Sequence, residues 1–156
     1  MNEIPLKTDE GWMAAALAEA EAAEREGEVP VGAVVVRDGA AVAAAHNRTI
    51  GLNDPTAHAE ILALRQAAAA VGNHRLSDCD LYVTLEPCAM CVGACVQARV
   101  RRLVYGAPDP RWGALGPRLG LGRPGLFNHD LSVTGGVLEG PCRERLQDFF
   151  GRKRKP

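Results

Sequence analysis

Apolar residues recur at helical spacing early in the chain. Trp12, Met13, Ala16, Leu17 and Ala20 share one face, which predicts an amphipathic helix. Thr8 and Asp9 supply a start signal, Asp9 and Glu10 place acid in the first turn, and Gly27 ends the run. The pattern then changes. "VGAVVV" is continuously apolar, as a strand buried on both faces requires. Asp38-Gly39 joins it to "AAVAAAH" and is a strong hairpin signal.

"NRTIGLNDPT" reads as a loop, and "AHAEILALRQAAAAV" as a helix ending at Gly72. "LYVTLE" predicts a strand. "CAMCVGACVQA" predicts a helix with Pro87 just before it or in its first turn. "RRLVYG" predicts a further strand and "LSVTGGVL" a weak one, after a Gly- and Pro-rich loop over 107–129. "PCRERLQDFF" closes the chain as a helix, with Leu146, Phe149 and Phe150 as its buried face. The β-α-β order implies parallel pairing with right-handed crossovers, and the hairpin adds an antiparallel pair. The expected fold is therefore α/β, a single domain over 1–156 with a mixed sheet of about five strands and helices on both faces.

Composition sharpens this in two places. Only 4% of residues are aromatic, so the core must be built from Ala, Val and Leu. No apolar run reaches the ~20 residues of a membrane span, and "MNEIPLKTDEGW" lacks the layout of a signal peptide. The expectation is a cytoplasmic protein with no membrane partner. The net charge of −1 conceals a polarity: residues 1–30 carry eight acids and two bases, and the bases that follow end in "GRKRKP". A basic tail of this kind either neutralises phosphates or is simply solvated. The Arg99, Arg101 and Arg102 cluster is read in the same way, as solvated charge or as a dimer or RNA face.

Five cysteines in a chain without a leader argue against a disulfide framework. Cys88 and Cys91 lie at i and i+3, on one side of a predicted helix start, and His58 lies at another. Helix N-termini favour thiolate. One imidazole and two thiolates suit zinc. Three readings are open on these residues. A catalytic zinc site keeps three protein ligands and an open position; a structural one is closed by a fourth, with Cys95 or Cys79 as the candidates; a thiol-redox pair needs neither His58 nor a metal. Cys95, one turn deeper than Cys91, reads as a small buried residue. Cys79, before the strand, and Cys142 read as structural or solvent-exposed. Glu60, two residues after His58, can stand beside a metal without binding it and carry a proton between water and a substrate nitrogen.

His-x-Glu followed by Pro-Cys-x-x-Cys is the zinc-deaminase signature. With "EVPVGAVVV", "HNR", "DPTAHAEILALRQA", "NHRL", "LYVTLEPCAMCVGA" and "RRLVYGAPD", the chain resembles the bacterial tRNA-specific adenosine deaminases over roughly residues 28–109, and the closing "DFFGRKR" is similar in style. The resemblance implies a cytidine-deaminase-like three-layer α/β/α sandwich. It implies a homodimer that converts the wobble adenosine of an arginine tRNA anticodon stem-loop to inosine, with release of ammonia. It implies one Zn2+ per subunit on His58, Cys88 and Cys91, with Glu60 as proton shuttle. The base pocket falls on Val29, Asn47 and the backbone of Ala59. Asn47 would offer its amide to a purine edge; on its own it reads equally as a turn-stabilising residue. Asp109 matches a family residue that contacts the nucleotide sugar or backbone, and Arg111 and Arg152 are the phosphate-binding candidates.

The chain departs from the family after Asp109. The usual Lys-Thr-Gly-Ala-Ala-Gly-Ser run is replaced by "PRWGALGP", in which Arg111 keeps a positive charge and Pro110 and Pro117 stiffen the loop. Trp112 either stacks on a base or packs. A free-base or nucleoside deaminase would share the same four catalytic residues, and a zinc-binding RNA module without catalysis would need a fourth ligand.

Overall fold

The computed structural model describes residues 8–154; residues 1–7 and the last two residues of the basic tail lie outside it. Five strands and four helices follow one another as α1 (Asp9–Arg25), β1 (Gly32–Arg37), β2 (Ala40–His46), α2 (Ala59–Val71), β3 (Cys79–Leu85), α3 (Ala89–Ala98), β4 (Arg102–Ala107), β5 (Ser132–Thr134) and α4 (Glu139–Arg154). The start of α1 is as the sequence suggests: the Thr8 side chain accepts the Gly11 N–H at 3.2 Å. The β1–β2 turn has Asp38 and Gly39 at φ 50° and 76°, the double positive-φ geometry of a type I′ hairpin.

The sheet order is β2-β1-β3-β4-β5. β1 runs antiparallel to both β2 and β3, whereas β3, β4 and β5 are parallel. Apolar side chains on one face of the sheet pack with α2 and α3, and those on the other with α1 and α4. This is the three-layer sandwich. The shortage of aromatics is met by close approach. Ala16, Ala20 and Ala23 of α1 are fully buried, and a Cβ at Gly32 would collide with the backbone of Ala16 and Ala20. Small residues thus bring the α1 backbone directly onto β1.

The structure corrects several sequence expectations. β3 begins at Cys79, two residues earlier than expected, and Cys79 is a buried strand residue rather than one preceding the strand. Cys142 is buried inside α4. Phe149 is buried and Leu146 half-buried, but Phe150 is 44% exposed. A helix lying on a sheet covers only a stripe, and Phe150 falls outside it. The arginines around β4 are paired rather than loosely solvated. Arg102 forms a fork with Asp9 of α1 (2.8 and 2.5 Å), and Arg101 forms one with Asp80 (2.9 and 3.2 Å). Among the described residues no helix is long and apolar enough to cross a membrane.

Candidate metal centre and base pocket

His58 and Cys88 are the N-cap residues of α2 and α3, each with extended backbone. The two helices start beside each other at one end of the sheet, because β3 delivers the chain through Glu86 and Pro87 into α3. The consequence is a cluster of three donors. His58 Nδ1 lies 3.7 Å from the Cys88 sulfur and 3.5 Å from the Cys91 sulfur. All three donor atoms lie within 4.8 Å of one another, and no other such group occurs among the described residues. Tetrahedral zinc with bonds of ~2.05 Å to nitrogen and ~2.3 Å to sulfur sets those atoms about 3.6 Å apart. The donor set and its spacing therefore fit zinc with three protein ligands. Cys95 is buried and outside the group, and burial pushes its thiol far up; Cys79 is likewise outside it. Neither supplies a fourth ligand, so the closed structural site is not formed.

The electrostatics of the cluster favour thiolate at its outer member. Hydrogen bonding from the Cys91 thiol, with His58 next among the favourable contacts, brings Cys88 down to about 4 despite burial. Cys91 moves far upward, first through the bond it shares with Cys88 and then through burial. His58 is raised, chiefly by its bond to Cys88. Glu60 sits in the first turn of α2 with 4% exposure. Burial pushes its carboxyl up to about 7; its own backbone N–H and the positive His58 pull the other way. A carboxyl placed so beside a metal cluster can take up and give back a proton near neutrality.

A cavity of about 410 Å³ opens over the cluster. Val29, Asn47, Glu60 and Asp109 all line it together with His58 and Cys88, so the structure brings these predicted residues to one place. Ala59 differs from expectation. Its N–H is already taken by Asn47 Oδ1 at 2.8 Å, so Asn47 both lines the pocket and braces the start of α2. The amide NH2 of Asn47 has no partner among the described residues and is the group turned to a ligand, with one lone pair of Oδ1 already used by Ala59. Arg111 borders a neighbouring cavity rather than this one. Arg152 lies on α4, ion-paired with Glu24 of α1, and is not part of the cavity wall. Trp112 lines the cavity with 69% of its surface exposed, so among the described residues it is not packed into the core.

Two residues of the site have no assignment in the sequence reading. Glu28 and Glu86 are 2% and 5% exposed, and both are held by backbone N–H groups. Glu28 accepts the N–H groups of Ile50 (3.2 Å) and Gly51 (2.7 Å). Glu86 accepts those of Asp109 (2.9 Å), Leu115 (3.0 Å) and Gly116 (2.9 Å). Each carboxylate thus fastens one of the two loops that rim the cavity. The contact with Glu86 is so close that a Cβ at Gly113 would collide with the carboxyl. The signal was present: an acid beside apolar residues ("EVPVG", "TLEPC") at the edge of a buried segment needs several donors once its carboxyl leaves water.

Comparison with known proteins agrees with this geometry. Residues 6–107 match the family model of the cytidine and deoxycytidylate deaminase zinc-binding region. The tRNA-specific adenosine deaminase of Haemophilus influenzae is 47% identical over 148 residues, covering 94% of this chain and 86% of that protein. A solved tRNA:A34 deaminase, studied for A-to-I editing at the wobble position of transfer RNA, superposes with TM-score 0.81 at 48% identity and covers 86% of this chain and 98% of its own. The guanine deaminase of Nitrosomonas europaea superposes with TM-score 0.80 at 31% identity, covering 94% and 86%. The chain belongs to the zinc-dependent cytidine and deoxycytidylate deaminase family, on the branch of the tRNA-specific adenosine deaminases.

Proposed function

We propose that this chain is a tRNA adenosine deaminase that hydrolyses the wobble adenosine of an arginine-type tRNA anticodon to inosine, releasing ammonia. The observation that carries the reading is the placement of buried Glu60 beside the His58–Cys88–Cys91 cluster at the floor of one cavity. Identity of 47–48% over most of the chain to tRNA-specific deaminases, against 31–40% to guanine deaminases, supports tRNA as the substrate.

His58, Cys88 and Cys91 would hold one zinc per subunit. When bound, the metal lowers the pKa of a coordinated water and so supplies a nucleophile at neutral pH. Glu60, with its carboxyl raised to about 7 by burial, would take a proton from the attacking water and deliver it to N1 of adenine. Protonation of that ring nitrogen draws electron density from C6 and opens it to attack by the water oxygen. Attack leaves a hydroxyl on C6; Glu60 would take the proton of that hydroxyl and hand it to the exocyclic amine, which leaves C6 as ammonia while the C6 oxygen becomes the carbonyl of inosine, so water and adenosine balance inosine and ammonia. Asn47 orients the base through its free amide NH2, with Val29 against the ring. Asp109 meets the sugar or backbone, and Arg111 and Arg152 meet phosphate. The target base must leave its stack to enter the cavity, which an unpaired anticodon loop permits.

The same reading makes residues 1–156 one deaminase domain that binds RNA in the cytoplasm as a homodimer. Ile50 and Leu52 on the loop after β2, and Met90 at the start of α3, are exposed apolar surface of the kind a second copy covers. The deciding experiment is an inosine assay on anticodon stem-loops that differ only at the wobble position. Conversion of the A34 stem-loop with no ammonia from free bases is the expected result. Robust deamination of free guanine would overturn the reading in favour of a free-base deaminase.

A further inference from the structure

β2 is the edge strand of the sheet, hydrogen-bonded to β1. Its last residue, His46, lies opposite Gly32, and the next amide, that of Asn47, closes the ladder on the Val31 carbonyl at 3.1 Å. Val31 and Asn47 both line the cavity over the metal cluster. The end of an edge strand has one neighbouring strand to hold it, so it frays unless side chains fasten it. On the α2 side Gln66 does this, its Oε1 accepting the Ala44 N–H at 3.3 Å. On the α1 side the fastener is His46.

His46 Nδ1 lies 2.8 Å from Glu19 of α1, and Nε2 lies 3.0 Å from Glu26, the residue that caps the end of that helix. A neutral imidazole has one N–H, and an ionised carboxylate only accepts. Both contacts are hydrogen bonds at once only when the ring carries both protons. Burial pushes the imidazole down, but the bonds it donates to Glu19 and then to Glu26 outweigh this, and the net direction is up from the ordinary value. The Glu19 arm is the stronger: its side chain is 29% exposed against 48% for Glu26, and Arg48 shares Glu26 from 3.8 Å. Arg65 of α2, on the same groove, is turned to Asp54 at 3.9 Å. β1 presents Gly32 opposite His46, where a Cβ would collide with the backbone of α1 and with Glu19.

The two sides of this clamp end where the base pocket begins. Glu26 leads through Glu28, whose N–H is held by the Ala23 carbonyl, to Val29 of the cavity wall, and His46 leads directly to Asn47. We propose that His46, as an imidazolium gripped by Glu19 and Glu26, is a positioning residue for the target base. It locks the end of β2, and with it Asn47, to the α1 segment that leads to Val29, so the base is held less tightly once the ring gives up its proton. An imidazole that binds its proton more tightly folded than unfolded stabilises fully below its unfolded value of ~6.5 and loses that contribution as pH rises through the raised folded value. The clamp is therefore closed in mildly acidic solution and opens towards alkaline pH.

The proposal rests on the tRNA reading above, and its test keeps the two apart. Zinc-loaded wild type, His46→Gln and Glu19→Gln are assayed for KM and kcat on an A34 stem-loop from about pH 6 to about pH 9, and the His46 ring protons are followed by NMR over the same range. Dividing the KM of His46→Gln by that of wild type cancels Glu60 and the RNA, which titrate in both. That ratio is expected to be about fivefold at the acid end and to fall to about one at the alkaline end, with kcat changed less than about twofold. Its midpoint should coincide with the His46 titration seen by NMR, above ~6.5. The exchange protection of the Asn47 amide in wild type should fall over the same limb. Glu19→Gln should move the NMR titration and the KM limb to lower pH together. A ratio that does not vary with pH, or a His46 titration at or below ~6.5, would overturn the proposal. So would a KM limb that stays in place when Glu19→Gln shifts the titration. No inosine from wild type at any pH, with Asn47 protection still tracking the ring, would instead remove the tRNA reading and leave the clamp standing.

Discussion

The carboxylate of Glu86 accepts the backbone N–H of Asp109 at 2.9 Å, so the last residue before the Pro-Cys-x-x-Cys turn holds the loop that follows β4, at a residue lining the same cavity as Asn47. The same carboxylate takes the Leu115 and Gly116 N–H groups, and the Pro87 carbonyl takes that of Ala114 at 2.9 Å. The metal-ligand turn and the rim of the base pocket are thus one hydrogen-bonded unit. Neutral Gln at position 86 would turn an N–H2 towards at least one of these donors. Leaving buried donors unpaired costs about 1–3 kcal/mol.

Glu86→Gln is therefore expected to keep one zinc per chain but to lower kcat/KM on the anticodon stem-loop about tenfold, mostly through KM. Hydrogen exchange at the amides of Asp109, Leu115 and Gly116 should accelerate together. Unchanged exchange at those three amides would show that the carboxylate does not fasten the loop.

Glu60→Gln keeps the size of the side chain but cannot carry a proton. Positioned acid–base groups contribute about 10²–10⁴-fold, so turnover of the A34 stem-loop should fall by at least that range while zinc content and RNA affinity stay near wild type. Inosine formation under single-turnover conditions, alongside metal analysis, measures both. Turnover within tenfold of wild type would take the proton-transfer role away from Glu60.

The ligand count has its own test. Cys88→Ala and Cys91→Ala are each expected to lose zinc, whereas Cys95→Ala should retain one zinc per chain, because the Cys95 thiol is buried outside the cluster. Chelation of the wild type should abolish deamination and lower the melting temperature by roughly 10 °C, since a metal that binds only the folded state at about 1,000 times its Kd adds ~4 kcal/mol. Added zinc should restore both. A zinc-free Cys95→Ala protein would argue for four ligands instead of three.

These features were not equally legible in the sequence. The type I′ turn at Asp38-Gly39, the cap at Thr8 and the continuously apolar β1 are local signals, and the fold obeys them. The metal cluster was legible because His58 and Cys88–Cys91 each sit at a helix start, and two helix starts at one sheet end converge. The use of Asn47 Oδ1 on Ala59, the loop anchors Glu28 and Glu86, and the exposure of Phe150 depend on partners 12 to 30 residues away or on how α4 rolls against the sheet. Residue type alone says that a buried Glu needs donors, but not which loop supplies them. The same holds for Arg102, which pattern alone cannot distinguish from a solvated charge until Asp9 of α1 meets it across the fold.

That last pair gives a prediction for stability against pH. The Asp9 carboxyl is held below its usual range, first by the fork from Arg102 and then, against burial, by the Tyr82 hydroxyl that donates to it at 2.7 Å. A depressed carboxyl binds fewer protons folded than unfolded in the window between the two pKa values, so stability rises with pH there. The contribution is present above the unfolded value of ~3.9 and is lost as pH falls through the lower folded value. Asp9→Asn keeps an oxygen for Tyr82 but removes the charge and one acceptor of the Arg102 fork. With a third of the Asp9 side chain open to solvent, screening limits the cost to about 1 kcal/mol at pH 7. Urea unfolding of wild type and Asp9→Asn should therefore show that gap at pH 7 and pH 5, and a narrowing gap as pH falls below about 4. A gap of the same size at pH 3 would mean that the fork stabilises α1 through geometry and not through the Asp9 charge.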